Sequence, residues 1–277
     1  MQKGERKVTR AESKTEGFTI NWGILAWLVG VHIVGMATLV AIVYDQFATS
    51  ALVIGAIWWW LSNTAIGAGY HRCFAHPTHQ ARWPLKLFYL IFGAGSFQGP
   101  AMLWSERHRL HHADTDKHND PYSVSRGFWW AHIGWVYHHS PYDTRRHRPA
   151  DLMRSRLVVW QEKLHVPAAV FGGLVLPTLV GWYFGCPWQT LLLAGPARLV
   201  VQYHQTFAVN SVSHWFGQPS RTSAKDGGTL VALVTFGEGG KHGRHHNSPG
   251  SHMIDPRWYS FDPGKWFIEA ASAAGLA

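Results

Sequence analysis

The stretch Gly23–Tyr44 reads GILAWLVGVHIVGMATLVAIVY, and it contains no Asp, Glu, Lys or Arg. Its 22 residues are enough for an α-helix to cross about 30 Å of hydrocarbon. A second apolar run, 48–68, follows after a turn of only Asp45, Gln46 and Phe47. Because so short a connection turns the chain straight back, the two runs predict a membrane-spanning helical hairpin.

A second hairpin is predicted from the apolar runs 166–184 and 188–209. The latter contains Arg198 and His204, and ionisable side chains inside a span are costly unless they face protein or a polar cavity. Between the hairpins, the apolar stretch 85–103 is rich in glycine, which weakens a spanning helix. We therefore expect a buried helix there, and an all-α integral membrane fold with four transmembrane helices.

The charges indicate how these spans are oriented. The 277 residues carry a formal net charge of +9, and nearly all Lys and Arg lie in the segments 1–18, 69–165 and the stretch after 209. The positive-inside rule places those segments in the cytoplasm, as a helical cap on a bacterial inner membrane with both termini cytoplasmic. We expect 1–18 to be a disordered tail and 19–277 to be one domain. No nucleic-acid motif accompanies the basic charge, so no nucleic acid partner is expected.

Histidine is the unusual residue, with 19 His against 16 Asp plus Glu. Four clusters stand out, and all four fall on the predicted cytoplasmic side. They are His71-Arg-Cys-Phe-Ala-His76, His108-Arg-Leu-His111-His112, Asn210-Ser-Val-Ser-His214 and His242-Gly-Arg-His245-His246. Many imidazoles together are typical of iron, copper or zinc ligation.

Helix geometry supports a shared site. Residues separated by three or four positions share a helix face, so the histidines of the second cluster point one way, as do Asn210 and His214. His71 and His76 are five apart and diverge by roughly 140° on a regular helix, which suits a helix end or two different ions. Ligating imidazoles need outer acceptors for their second nitrogen, and Asp120 and Glu238 are candidates. Isolated histidines such as His32 and His132 are expected to pack or lie at the surface.

Several further motifs accompany these clusters. They are Phe97-Gln98 ahead of Trp104, Asn119-Asp120-Pro121, Arg126-Gly127-Phe128, His132-Ile-Gly-Trp135, Thr206-Phe-Ala-Val-Asn-Ser211, Gly237-Glu238-Gly239 and Phe261-Asp-Pro-Gly-Lys-Trp266. With the histidine spacing and the four spans, the chain resembles the membrane fatty acid desaturase superfamily, and within it the acyl-CoA delta-9 (stearoyl-CoA) desaturase branch. The resemblance extends from about residue 22 to 268.

The resemblance implies a di-iron centre of two iron ions. Its ligands would be His71, His76, His108, His111, His112, His214, His242, His245 and His246, with Asn210 reaching one iron through water. Gln98, Trp104 and Thr206 match positions that line the bend of an acyl tunnel. The implied reaction introduces a cis double bond into a long acyl chain with O2 and two external electrons.

Three features depart from the family pattern. Gly240 and Lys241 intervene before the last histidine cluster, and Gly243 replaces the usual Asn. Glu106 stands where animal acyl-CoA enzymes carry an Arg that meets the CoA, which leaves an acyl carrier protein or a lipid ester open. No fused cytochrome b5 domain is expected, so electrons would come from a separate ferredoxin, rubredoxin or cytochrome b5 type donor with its reductase.

Other functions remain open at this point. A related di-iron acyl hydroxylase, acetylenase or carotenoid oxygenase would use the same histidines, because the outcome depends on how the substrate lies. A non-enzymatic membrane metal carrier would place its ligands within the spans. The block Trp58-Trp59-Trp60 suggests the hypothesis that one indole forms the floor of the acyl tunnel.

Overall fold

A computed structural model describes residues 18–44, 46–139 and 148–277 of the chain. The expected disordered tail therefore lies outside the described residues except for Phe18, and Asp45 of the first predicted turn is also outside them. Most of the described chain is helical. The α-helices are α1 Trp22–Val43, α2 Thr49–Thr64, α3 Trp83–Ala94, α4 Ala101–Ala113, α5 Phe128–His132, α6 Ala150–Met153, α7 Arg156–Lys163, α8 His165–Val170, α9 Leu176–Tyr183, α10 Pro187–Leu192, α11 Arg198–Trp215, α12 Gly228–Val234, α13 His242–Asn247 and α14 Pro263–Ala273.

Three π-helical segments join some of these helices into longer rods. Ala65–Ala75 continues α2, Phe171–Val175 joins α8 to α9, and Leu193–Ala197 joins α10 to α11. Short 3-10 turns occupy Val124–Arg126 and Gly134–Tyr137. Wider π turns are common near functional sites, and the first of these segments carries the first histidine cluster.

Three rods are long and apolar enough to cross a membrane: Trp22–Val43, Thr49–Ala75 and His165–Tyr183. They coincide with three of the four predicted spans. The fourth predicted span, 188–209, is not among them, and it contains a break where Gly195 has non-helical angles (φ −91°, ψ −110°) beside Pro196. A proline inside a helix removes a backbone hydrogen bond and bends the rod.

The two ionisable residues of that fourth segment lie differently. Arg198 is buried and bonded within the protein, as expected for a cation in a span. His204 is exposed, and its ring nitrogens lie 3.2 Å from Nε2 of His32 and 2.9 Å from Nε2 of His132. The three isolated histidines therefore pack together at the surface.

Local signals mark where helices begin. The Asn21 side chain caps α1 by accepting a hydrogen bond from the Ile24 amide at 3.0 Å. Asp262 caps α14 by accepting from the Lys265 amide at 3.0 Å, with Pro263 at the first helical position.

The apolar stretch 85–103, expected as one buried helix, forms the partly buried α3, a turn and the start of α4. Helix α3 buries Tyr89 and Leu90 completely, and it is too short to be a spanning helix. It ends in a turn where Gly95 lies against the backbone of Gly173, so close that a Cβ on either residue would clash with the other's backbone. This close contact fixes the turn against the third membrane rod.

Two short antiparallel strand pairs complete the fold. Strand β1 (Thr19–Ile20) pairs with β2 (His138–His139), and Thr19 lies opposite His139. Strand β3 (Gln218–Pro219) pairs with β4 (Lys225–Asp226), and Gln218 lies opposite Asp226. The largest apolar cluster lies where the second rod meets α3, α4 and α14. That junction holds the helices that carry the first two histidine clusters.

Candidate metal centre and substrate cavity

The first histidine cluster lies on the π-helical end of the second rod. The His76 amide donates to the His71 carbonyl at 3.1 Å, which is a hydrogen bond between residues five apart. A π-helix has about 4.4 residues per turn, so two residues five apart return to nearly the same face. The divergence expected on a regular helix is therefore wrong here, and His71 and His76 point to one place.

Nine histidines converge in two groups, and within each group the candidate ligand atoms all lie within 4.8 Å of one another. The five-histidine group consists of His71, His76, His108, His112 and His245, and the four-histidine group of His111, His214, His242 and His246. The second sequence cluster therefore contributes to both groups, from a single turn of α4. Every histidine that the spacing singled out is present in one group or the other.

Carboxylates orient two of these rings as the sequence analysis expected. His71 donates through Nδ1 to Glu238 at 2.8 Å, and His111 donates through Nδ1 to Asp120 at 2.8 Å. Asp120 is fully buried and also accepts from the Asp116 and Tyr122 amides, so its position is fixed. Such outer partners set the tautomer of a ligating imidazole and leave Nε2 as a lone-pair donor.

Two further partners escaped the sequence analysis. His214 donates through Nδ1 to Asp116 at 2.8 Å, and Nδ1 of His108 lies 3.1 Å from the Tyr122 hydroxyl. Both residues follow the second cluster closely, and this proximity is the one signal that could have identified them. Their contacts depend on a loop that folds back over α4, which no periodic pattern encodes.

A buried ion network supports Glu238 in turn. Arg72 is fully buried and donates to Glu238 at 2.8 Å and to Asp262 at 2.7 Å. The guanidinium packs on Gly264, where a Cβ would lie 2.8 Å from its central carbon. The C-terminal Phe261–Trp266 motif is thus connected through Arg72 and Glu238 to His71.

Burial keeps the clustered rings uncharged. Removal from solvent, reinforced by neighbouring imidazoles, lowers the pKa of His76 to about 2 and those of His108, His242 and His245 well below the usual range. Burial acts to raise the pKa of Glu238, but Arg72 and His71 outweigh it and lower it to about 2. Neutral rings beside an ionised carboxylate are the protonation states that metal ligation requires.

The geometry of the ring nitrogens itself fits a cation. Nε2 of His71 lies 2.9 Å from Nε2 of His245, and Nε2 of His214 lies 3.1 Å from Nε2 of His242. Where Nδ1 donates to a carboxylate, as in His71 and His214, Nε2 carries a lone pair, so electron-rich atoms face into a confined space. A bound cation removes that repulsion, and all-imidazole donor sets suit iron, copper or zinc.

The last histidine cluster lies on the short helix α13 and serves both groups. His242 and His246 belong to the four-histidine group, and His245 to the other. The departure from the family pattern at Gly243 has a steric reason, because a Cβ there would lie 2.6 Å from that of Ser220. The unusual sequence thus still brings its three histidines into the centre.

A cavity of about 290 Å³ leads to the histidines, and His71, His108, His242 and Asn210 all line it. Gln98, Trp104 and Thr206 line it as well and form one hydrogen-bonded chain. Trp104 donates to Gln98 at 3.3 Å, Gln98 donates to Thr206 at 3.0 Å, and the Trp104 ring stacks on His108 at 5.0 Å. The three residues expected at a tunnel bend therefore meet beside the histidines.

Other cavity residues differ from expectation. Trp58, Trp59 and Trp60 are not among the residues that line this cavity, so the cavity does not support the hypothesis of a tunnel floor at these indoles. Trp27 lines it instead and donates to the Tyr203 hydroxyl at 3.2 Å. Trp58 donates to the Gly172 carbonyl at 2.9 Å and packs between membrane rods.

The two residues before His108 also lie in different environments. Glu106 is buried. The neighbouring Arg107 lines the cavity, with its guanidinium 5.8 Å from the centre of the Trp135 ring. The Arg that lines the cavity is therefore at position 107, whereas the family pattern has an Arg at position 106.

Comparison with known proteins agrees with this geometry. The family model described as fatty acid desaturase matches residues 46–253. The chain is 37% identical to a probable acyl-CoA desaturase of Schizosaccharomyces pombe, over 92% of this chain and 54% of the relative. It is 34% identical to acyl-CoA desaturase 1 of Saccharomyces cerevisiae, over 100% and 56%. It is 31% identical to an sn-1 stearoyl-lipid 9-desaturase of Anabaena variabilis, over 93% of each chain.

The chain spans little more than half the length of the two yeast relatives but nearly all of the cyanobacterial one. The family model covers most of the chain, including all four histidine clusters. With its membrane rods, its two histidine groups and the cavity beside them, the chain belongs to the fatty acid desaturase family.

Proposed function

We propose that the chain is an O2-dependent di-iron acyl desaturase that introduces a cis double bond, at the delta-9 position, into a long acyl chain. The observation that carries this proposal is the cavity, which passes Gln98, Trp104 and Thr206 and is lined by His71, His108 and His242 of the two histidine groups. An acyl chain in that cavity would present a methylene pair directly to the histidines. No amino-acid side chain oxidises an unactivated methylene, so the metal centre would supply the oxidant from O2.

The histidine groups would each hold one iron ion. His71, His76, His108, His112 and His245 would bind one, and His111, His214, His242 and His246 the other, with Asn210 acting through water. Asp120 and Glu238, together with Asp116, would hold the rings in the ligating tautomer.

The protein's own part in the reaction is positioning and exclusion of water. The hydrogen-bonded pair Gln98 and Thr206 forms part of the cavity wall, as does His108. Aromatic rings form much of its wall, including Trp27 and Phe97. Holding a flexible chain in one conformation against a reactive centre accounts for much of the rate and selectivity of such a reaction.

We infer the kind of acyl carrier from the charged side chain that lines the cavity. Arg107 is the one Lys or Arg side chain among the described residues that line it, which favours a substrate with a polar or anionic head. The yeast relatives carry acyl-CoA in their names and the cyanobacterial relative a stearoyl-lipid. We propose a long-chain acyl thioester or lipid ester, reduced by a separate ferredoxin, rubredoxin or cytochrome b5 type donor.

The topology belongs to the same proposal. Residues 188–209 would form the fourth crossing despite the break at Gly195, because Arg198 is buried within the protein. The termini and histidine groups would then lie in the cytoplasm. Cys186 is buried, so a labelling test should use the exposed Trp188. A Trp188→Cys variant should react with an impermeant thiol reagent from outside whole cells, and reaction only after lysis would contradict this topology.

Expression in a host that lacks its own desaturase tests the reaction. Gas chromatography–mass spectrometry of total fatty acids should reveal a monounsaturated chain with a cis bond at carbon 9, absent without O2. His245→Ala is the matched control, and it should yield folded protein without product. Hydroxylated or acetylenic products, or no product from folded, iron-loaded protein, would overturn the proposal.

Purified protein in vesicles identifies the carrier. One arm supplies an acyl-CoA and the other a phospholipid with the same acyl chain, each with iron and a reduced donor. An Arg107→Ala variant should raise KM for the preferred carrier with little change in kcat. An unchanged KM would exclude Arg107 from carrier binding.

A further inference from the structure

The turn between α3 and α4 is held, residue by residue, by side chains of α11. Gln98 belongs to this turn and is preceded by Gly95, Ser96 and Phe97. The turn is conformationally demanding, because Phe97 has φ +52° and Gly99 has φ +92°. A left-handed non-glycine residue persists only where its surroundings fix it. Both left-handed positions flank Gln98, so the position of its side chain depends on those surroundings.

Four successive hydrogen bonds hold the turn in place. We call these four bonds the ladder and each bond a rung. Arg198 donates to the Gly95 carbonyl at 2.9 Å, and Gln202 donates to the Ser96 hydroxyl at 3.0 Å. The next two hydrogen bonds follow in the same order along the turn and along α11. Tyr203 donates to the Phe97 carbonyl at 3.3 Å, and Thr206 accepts from the Gln98 amide at 3.0 Å.

The first rung is costly to build. Arg198 is 3% exposed and lies in the proposed fourth crossing. Its guanidinium donates to the carbonyls of Ala194 and Gly95 and to Gln202, and in the described parts of the chain it forms no ion pair with a carboxylate. A buried cation without a counter-ion is unfavourable compared with an apolar side chain of the same size. Charged residues inside spans usually mark function for this reason.

The last rung ends at the metal centre. Gln98 accepts from Trp104, and the Trp104 ring stacks on the ring of His108. The ladder therefore connects the buried Arg198 to the point where the cavity passes the histidines. A displacement of about 1 Å at a reacting group is enough to change a rate by roughly a hundredfold.

We infer that Arg198, Gln202 and Tyr203 are positioning residues that fix Gln98 and thereby select which carbon–carbon bond of the acyl chain is oxidised. The inference rests on the proposed desaturation. It assigns regioselectivity to Arg198 and Gln202, which are not among the residues that line the cavity, and to the hydroxyl of Tyr203, which does line it. Loss of one of these hydrogen bonds would let the turn shift. The acyl chain would then move along the cavity relative to the histidines.

The test measures double-bond position in the desaturase-deficient host. Arg198→Met, Gln202→Leu and Tyr203→Phe are compared with wild type by mass spectrometry of dimethyl disulfide adducts. We expect Arg198→Met to raise the ratio of shifted to original isomer on the order of tenfold, and the other two to raise it less. Arg198→Lys, which retains one donor, should restore part of the selectivity.

Gln189→Leu is the matched control. Gln189 lies at the far end of the same rod and accepts from the Ala48 amide at 2.9 Å, away from the turn. It should leave the isomer ratio unchanged. Iron content and gel filtration in detergent verify that each variant is folded, and Gln202→Leu, at a buried side chain that does not line the cavity, keeps the test valid if Arg198→Met does not fold.

The outcomes separate the two proposals. Lower yield with an unchanged isomer ratio in the folded variants means that the ladder only stabilises the fold, and it overturns this inference alone. Wild-type protein that makes no unsaturated product overturns the proposed function and this inference with it. A shift of equal size in Gln189→Leu would also overturn the assignment to the ladder.

Discussion

The four-histidine group and the five-histidine group are held by different outer partners. In the former, His111 and His214 each donate to a carboxylate, Asp120 and Asp116 respectively. In the latter, His71 is the one ring that donates to a carboxylate of the described residues, while His108 meets a phenol. The group with fewer imidazoles thus has more negative charge behind it. Outer carboxylates raise the basicity of a ligating ring, so in the proposed metal centre they would compensate for one imidazole fewer.

Removing a ligand from one group at a time should have the largest effect. His245→Ala in the five-histidine group and His214→Ala in the other should each lower turnover by more than about 100-fold, beyond the usual effect of an outer partner. Mass spectrometric metal analysis should find about one iron per chain in either variant, against about two in wild type. Loss of both ions from each variant would show that the groups act as one site, and the comparison would fail.

Neutralising the outer carboxylates should come next in size. Asp116→Asn and Asp120→Asn should each reduce metal affinity by about 10- to 100-fold. The measurement is iron retained during titration with a chelator. Asp151→Asn is the control, because Asp151 pairs with Arg109 at the surface, outside both groups. Equal iron retention in all three variants would contradict the proposal that Asp116 and Asp120 strengthen metal binding.

The pH dependence of the metal-free protein tests the five-histidine group. His76 has a folded-state pKa of about 2 because it is buried, whereas an unfolded histidine titrates near 6.5. The unfolded chain therefore binds more protons below about pH 6.5, and stability present above that pH is lost as the pH falls towards 2. One such ring lowers the free energy of unfolding by about 1.4 kcal/mol when the pH falls from above 6.5 to 5.5.

That dependence is measured as denaturant unfolding in detergent at pH 7.5 and pH 5.5. His76→Asn should lose less stability between the two pH values than wild type. His252→Asn, outside both groups, should behave as wild type. Identical pH slopes for all three proteins would mean that His76 is not held neutral by the fold.

Removing the phenol should have the smallest effect. Tyr122→Phe deletes a neutral partner of His108, a hydrogen bond worth about 1 kcal/mol or roughly fivefold in metal affinity. The same chelator titration should place this variant between wild type and Asp116→Asn. A loss as large as that of the aspartate variants would show that the charge of the outer partner does not matter.

The sequence predicted those parts of the site that depend on spacing. The nine histidines and three of the four spans follow from helical periodicity and from apolar runs of sufficient length. Asp120 and Glu238 were identified by proximity alone. The fourth span was predicted as a regular helix because the pattern contains no signal for the non-helical angles at Gly195, although Pro196 is visible in the sequence.

The remaining features depend on backbone hydrogen bonding and on loops that fold back. The shared direction of His71 and His76 requires a π-helix, which composition does not reveal. The Asp116 contact and the ladder on Gln98 join residues about 100 positions apart. The indoles of Trp58, Trp59 and Trp60 were expected in the cavity because Trp fills space, but which face of a rod meets the cavity is decided by packing.

The contrast between the first two membrane rods has a consequence for biosynthesis. Only 22% of the most apolar window of α1 is buried inside the protein, against 61% for Thr49–Ala75. If both rods cross a membrane as proposed, α1 would face mainly lipid, whereas the second rod would carry Asn63, His71 and Arg72 into contacts with later segments. The second rod would then remain incompletely packed until those later segments fold against it.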